Sequence, residues 1–307
     1  MIKKSVILLF LLFVACAPRT TEQPQNTNFR SGSQGLVMSF VPNLPPPRLF
    51  DRDPFNVMIN VQNAGASPVG NGLDRIYISG FDHNIITGIG TDGESIPFLE
   101  GKTQYMPQGT SDVVSFKGII RALTEKRTDR YNPLILTTAC YSYETIASPQ
   151  VCIDPDPYSA TSVQKVCTPG TVGTGSQGAP IAVSSVRVEP SPSRTRFVIN
   201  IQNVGGGNVF KYGTQYLAKC SPYNRGLAFD EIDYVQVSDI LISGRSIKAS
   251  CRPLDREGNL RLQNGNGQLF CEYLSSSEST ILTPLTITLR YGYRQSISRM
   301  VEIYPLS

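Results

Sequence analysis

Apolar and polar residues alternate with period two along much of the chain. Val57, Ile59 and Val61 alternate with other residues, as do Phe197, Ile199 and Ile201. Leu285, Ile287 and Leu289 alternate with Thr286, Thr288 and Arg290. This period places every second side chain on one face, which is the pattern of a half-buried strand. Leu260-Arg261-Leu262 and Leu269-Phe270-Cys271 flank Asn264-Gly265-Asn266-Gly267. Asn and Gly tolerate positive φ, so this segment predicts a hairpin turn. No stretch has the 3.6-residue apolar period of a long amphipathic helix, so the chain is expected to be all-β.

The pattern occurs twice. Ile59-Asn60-Val61-Gln62-Asn63-Ala64-Gly65 returns as Ile199-Asn200-Ile201-Gln202-Asn203-Val204-Gly205, and Ser31-Gly32-Ser33-Gln34-Gly35 returns as Thr174-Gly175-Ser176-Gln177-Gly178. Tyr141-Ser142-Tyr143, Ser148, Val151 and Ile153 match Tyr291-Gly292-Tyr293, Ser298, Val301 and Ile303. Start, middle and end recur in one order, so tandem domains are expected at 36–155 and 181–307, with a linker at 156–180. Pro133-Leu134 matches Pro284-Leu285 with one extra residue in the first copy, which predicts a bulge there.

Several short strands per copy, separated by turn signals, predict two immunoglobulin-like β-sandwiches. The segment Phe55 to Gly65, alternating and closing on Asn-x-Gly, resembles the CARDB-type immunoglobulin-like domains of prokaryotic surface proteins. The two-copy layout with its cysteines is also similar to uncharacterised archaeal surface proteins. Neither resemblance implies a known activity.

The first residues change the address. Lys3 and Lys4 precede an apolar run from Val6 to Val14. The run is too short to cross a hydrocarbon core of ~30 Å as a helix, and it reads as a secretory signal over residues 1–15. Phe13-Val14-Ala15-Cys16 resembles the lipobox of prokaryotic lipoproteins. That resemblance implies cleavage before Cys16, lipidation of its thiol, and anchoring to the outer face of the cell membrane. Residues 16–35 are polar and aperiodic and read as a lipidated tether. Removal of residues 1–15 takes away Lys3 and Lys4 and no acid, so the net charge of +4 falls to +2. That charge, without a dense basic stretch, excludes a nucleic-acid footprint.

Six cysteines remain in an exported chain, which favours disulfides. Cys140 and Cys152 lie symmetrically about Ile146 on an expected hairpin, and their repeat counterparts are Arg290 and Glu302. Thiols in one copy and opposite charges in the other suit facing cross-strand positions on the solvent side. Cys140 is therefore expected to pair with Cys152. Cys251 and Cys271 share core-facing parity and form a second pair, which leaves Cys167 for Cys220. No CxxC spacing occurs and His83 is the only histidine, so neither a metal nor a cofactor is expected.

Catalytic chemistry finds little support. Ser33 and Ser176 miss the G-x-S-x-G elbow, and His83 lies in an expected surface turn. Asp51/Asp53 and Asp154/Asp156 sit beside prolines and read as solvated turns. Asp230/Glu231/Asp233 and Asp92-Gly93-Glu94 lack EF-hand spacing. The chain is expected to be a non-catalytic binding, adhesion or envelope-structural module, with a protein or glycan partner at the cell surface. Segments 80–111 and 205–232 differ most between the copies and are the expected contact regions. The alternatives are an accessory lipoprotein of a pilus, S-layer or secretion machine, and an exported carbohydrate-active enzyme.

Overall fold

The computed structural model describes residues 29–123, 129–159, 165–275 and 279–306. The first repeat contributes β1 (Leu36–Phe40), β2 (Arg48–Phe50), β3 (Pro54–Asn63), β4 (Arg75–Ser79), β5 (Ile86–Thr87), β6 (Glu94–Ser95), β7 (Ser111–Ile120), β8 (Leu134–Ala147) and β9 (Gln150–Ile153). β10 (Thr171–Gly173) lies in the expected linker. The second repeat contributes β11 (Ile181–Ser191), β12 (Arg194–Asn203), β13 (Asn208–Phe210), α1 (Thr214–Lys219), β14 (Tyr234–Ile242), β15 (Arg245–Ser246), β16 (Asn259–Arg261), β17 (Asn266–Leu274), β18 (Ile281–Met300) and β19 (Glu302–Tyr304).

Among the described residues the chain is an all-β sandwich built from antiparallel sheets, with one short parallel pair. One outer sheet has the order β1-β3-β7-β5 and another β10-β11-β12-β17. Both accompany a nine-stranded sheet with the path β15-β14-β18-β8-β4-β6. The apolar side chains of both repeats form one continuous core, including Phe55, Ile59, Phe197, Ile199, Tyr141 and Tyr291.

The repeats meet along the β8–β18 ladder. Ser142 faces Gly292, its own repeat counterpart, and Tyr141 and Tyr143 face Tyr293 and Tyr291. Each residue therefore meets the counterpart of a residue equally far from Ser142, which makes the ladder pseudo-twofold symmetric. The same register carries Ile153 of β9 onto Ile281 of β18. It also carries Ile303 of β19 onto Tyr131, while β19 runs parallel to β2. Each repeat thus gives its last strand segment to the other.

This exchange replaces the hairpin expected about Ile146. Odd positions are buried from Ile135 to Ala147 and again at Val151 and Ile153, so the strand crosses to the other repeat without reversing. No Gly, Asn or Asp lies between Tyr141 and Gln150 to form a tight turn. Arg290 and Glu302 do not face each other either. Arg290 is in register with Glu144 at 2.8 Å, and Glu302 binds Arg130 at 2.6 Å and Arg48 at 3.3 Å. The expected bulge in the first copy is absent from the β8–β18 ladder. The register shifts fall in the second copy, between Val183 and Ser185 and between Val237 and Asp239.

The disulfide pairing changes accordingly. Cys140 joins Cys220, Cys152 joins Cys167, and Cys251 joins Cys271. Cys140 and Cys152 are not on a solvent face, because other chain covers it. The segment after β13 crosses the back of the sheet and buries Cys140 with Tyr77, Phe210, Leu217 and Cys220. The linker brings Cys167 to Cys152. The turn at Asn264 (φ 51°) and Gly265 (φ 76°) forms as its residues predict. It joins strands of two different sheets, however, because β16 pairs with β14 and β17 with β12.

Gly292 is required where Phe210 crosses the ladder. A Cβ at Gly292 would lie 2.0 Å from Phe210 Cε2. Gly292→Ala is expected to cost about 1–3 kcal/mol through overpacking. Urea denaturation checks this, and combining it with Phe210→Leu should recover part of the loss.

Candidate binding surface

The two segments that differ between the repeats come together. His83 Nε2 lies 3.2 Å from Tyr223 Oη, with ring centroids 5.5 Å apart, and the Phe81 ring packs against His83 at 4.6 Å, tilted by 50°. Tyr223 Oη donates to the Ile78 carbonyl at 2.5 Å, and partial burial raises its pKa. The segment 205–232 is therefore docked on the first repeat and does not hang free. Lys219 and Glu231 pair across it, which holds the Glu231 carboxyl below its usual range and raises the Lys219 ammonium. Glu231 also accepts the Ala228 N–H at 2.8 Å.

The outer part of this segment carries a cation–aromatic platform. Phe229 is 72% exposed. The Arg261 guanidinium lies 4.2 Å from the Phe229 ring centre and 5.6 Å from that of Tyr234. Lys211 Nζ lies 5.0 Å from the Tyr234 ring, and the β14–β16 register sets Tyr234 opposite Arg261. Lys211 is also near Asp255 (3.9 Å) and Glu257 (3.7 Å), so acid and base alternate around the rings. Phe229 and Lys211 fall within the expected contact region. Arg261 and Tyr234 were not singled out by sequence, because they are remote along the chain and only strand pairing unites them. In the other expected region Phe98 and Tyr105 are exposed, but no charged group stacks on them among the described residues.

The carboxylates singled out by sequence do not converge. Asp51 is buried and accepts the N–H groups of Leu306 and Leu123 at 2.9 and 2.8 Å. The Leu306 bond outweighs burial and lowers its pKa. Asp53 accepts the Phe50 N–H at 2.9 Å. Burial pushes the Asp154 carboxyl up, but its bonds to Lys165 at 2.6 Å and to the Asp156 N–H outweigh this and hold it low. Asp51 and Asp154 tie exchanged chain ends in place. Asp51 fixes the end of repeat two on repeat one, and Asp154 receives Thr280 from repeat two at 3.3 Å. Among the described residues, no group of three or more His, Cys, Asp or Glu side chains could hold a metal ion.

Cys16 and most of the expected tether lie outside the described residues. The end of the tether is docked: Gly32 N–H donates to Ser176 Oγ at 2.9 Å, and Gly178 N–H to the Gly32 carbonyl at 3.0 Å. Three disulfides suit an oxidising, extracellular environment. No described helix is long and apolar enough to cross a membrane. The sequence matches no protein-family model and no curated protein.

Proposed function

We propose that the chain is a non-catalytic binding module, lipid-anchored through Cys16 at the outer face of the cell membrane, whose contact face is the Phe229–Arg261–Tyr234–Lys211 platform. The observation that carries this reading is the exposed Phe229 ring stacked on Arg261, within the segment that differs most between the repeats. Aromatic and arginine side chains dominate binding energy at protein interfaces, because they bury large area at low entropic cost. The fold supports such a role. One core, exchanged strand ends and a cross-repeat disulfide hold the platform rigid, so little ordering cost falls on binding.

The test is binding of the purified chain to cell envelopes from the same source. Phe229→Ala with Arg261→Ala is expected to weaken saturable binding at least tenfold while leaving thermal unfolding unchanged. Unaltered envelope binding by the double variant would refute the platform. Cys16→Ser is expected to release the chain from the membrane fraction.

A further inference from the structure

The repeats begin with strand pairs in the same register. Leu36 faces Asn63 as Ile181 faces Asn203, and Met38 faces Val61 as Val183 faces Ile201. Antiparallel strands exchange hydrogen bonds through alternate residues. Ala64 N–H donates to the Gly35 carbonyl, and Val41 N–H to that of Met58. Odd positions of β1 therefore bond to β3, and the main-chain groups of Leu36, Met38 and Phe40 point to the open edge.

The first outward position is closed in both repeats. Leu36 N–H donates to Tyr141 Oη at 3.3 Å, and Gln295 Nε2 donates to the Leu36 carbonyl. Ile181 N–H donates to Tyr291 Oη at 3.3 Å, and Thr145 Oγ1 donates to the Ile181 carbonyl at 2.6 Å. The next position differs. Val183 N–H donates to Gln177 Oε1 at 3.0 Å, while Gln177 Nε2 donates to the Val183 carbonyl at 3.1 Å. One carboxamide thus stands in for the peptide unit of a neighbouring strand. Just beyond, β10 pairs with Ser185–Arg187 of β11.

Repeat one has no counterpart to either device among the described residues. Gln34 is exposed, and no described group bonds to the main chain of Met38. A cleft of about 340 Å³ opens there instead, between Met38 on one side and Asn208, Arg294 and Ser296 on the other. Arg294 is the one charged residue lining it among the described residues.

We propose that this cleft receives an extended polar segment of a partner protein, which adds a strand to β1 and sets a carboxamide or peptide unit on Met38 N–H and C=O. The occupant's chemistry follows from the second repeat, where the chain fills the equivalent place with Thr171–Gly173 and Gln177. Strand addition draws affinity from main-chain bonds and specificity from side-chain pockets. Arg294 in the cleft selects a segment with an acidic side chain beside the carboxamide. This inference goes beyond the platform and stands without it.

The probe is a synthetic peptide of residues Gly170–Gly178, titrated against the full chain. A second peptide carries Asp in place of Ser176. Both are expected to bind saturably and to slow amide hydrogen exchange at Met38 and Phe40, the acidic one more tightly. Ala in place of Gln177 in the peptide is expected to weaken binding about thirtyfold, since it removes two hydrogen bonds. Methylating alternate peptide nitrogens leaves the protein untouched and is expected to abolish binding. Arg294→Ala is expected to remove the preference for the acidic peptide. Absence of binding, protection confined to Val183 or other amides, or indifference to N-methylation would each overturn the proposal.

Discussion

Above about pH 10 the protein is expected to lose stability by up to about 5 kcal/mol per pH unit. Tyr141, Tyr143, Tyr291 and Tyr293 gather at the pseudo-twofold, with neighbouring ring centroids 5.9–6.3 Å apart. Their hydroxyls hold the strand starts and turns of both repeats. Tyr141 and Tyr291 accept the N–H groups of Leu36 and Ile181, and Tyr143 and Tyr293 accept those of Ser67 and Gly207. Burial disfavours the charged phenolate, so all four are pushed above their ordinary value of 10.0, Tyr293 to about 12. In the unfolded chain each ionises near its ordinary value. Between that value and the raised one, the unfolded state binds fewer protons than the native state, so stability falls as pH rises. Each retained proton is worth about 1.4 kcal/mol per pH unit, and four act together. The contribution is fully present below pH 10. Urea denaturation across an alkaline series reads the slope, and Tyr293→Phe should reduce it by about one proton. A flat profile between pH 10 and 12 would mean that the hydroxyls ionise within the fold.

How much of this was legible in the sequence depends on whether a signal was local. Alternation at Val57–Val61 and Phe197–Ile201, and the Asn-Gly turn at Asn264, are local chemistry, and they produced strands and a turn where expected. The repeat disclosed two related units. It could not disclose their exchange, because a strand that stays in its copy and one that crosses have the same sequence. The absence of Gly, Asn and Asp between Tyr141 and Gln150 was the one available hint. Matching Cys140/Cys152 to Arg290/Glu302 misled because each charge finds its partner across the repeat boundary: Arg290 on Glu144, Glu302 on Arg130 and Arg48. The platform fared similarly. Phe229 and Lys211 lay in a segment marked by its divergence, whereas Arg261 looked like any exposed strand residue until β16 paired with β14. The Met38 edge gave no sequence signal, because it depends on a carboxamide that only the second repeat places there.

Replacing Cys140 and Cys220 together by Ala is expected to cost about 4.5 kcal/mol, the largest loss among the disulfides. The bond joins residues 80 apart, whereas Cys152–Cys167 spans 15 and Cys251–Cys271 spans 20. In the chain-entropy model stabilisation grows with the logarithm of the loop, so the shorter bonds contribute only about 3 kcal/mol each. The local consequences differ as well. Cys140 sits on β8 of repeat one and Cys220 just after α1 of repeat two, in a small cluster with Tyr77, Phe210 and Leu217. α1 has six residues and no side-chain cap at its start, so packing and the disulfide must hold it. The Cys140→Ala/Cys220→Ala variant should therefore show faster hydrogen exchange over 214–232 and a weakened His83–Tyr223 contact. Removing Cys152 and Cys167 should leave that segment protected. Peptide mapping without reduction checks the premise directly, since a Cys140–Cys152 crosslink would restore the hairpin and defeat the exchanged arrangement. If the crosslink is Cys140–Cys220, the segment bearing Phe229 is fastened to the repeat it crosses, and the platform can meet a partner without first being ordered.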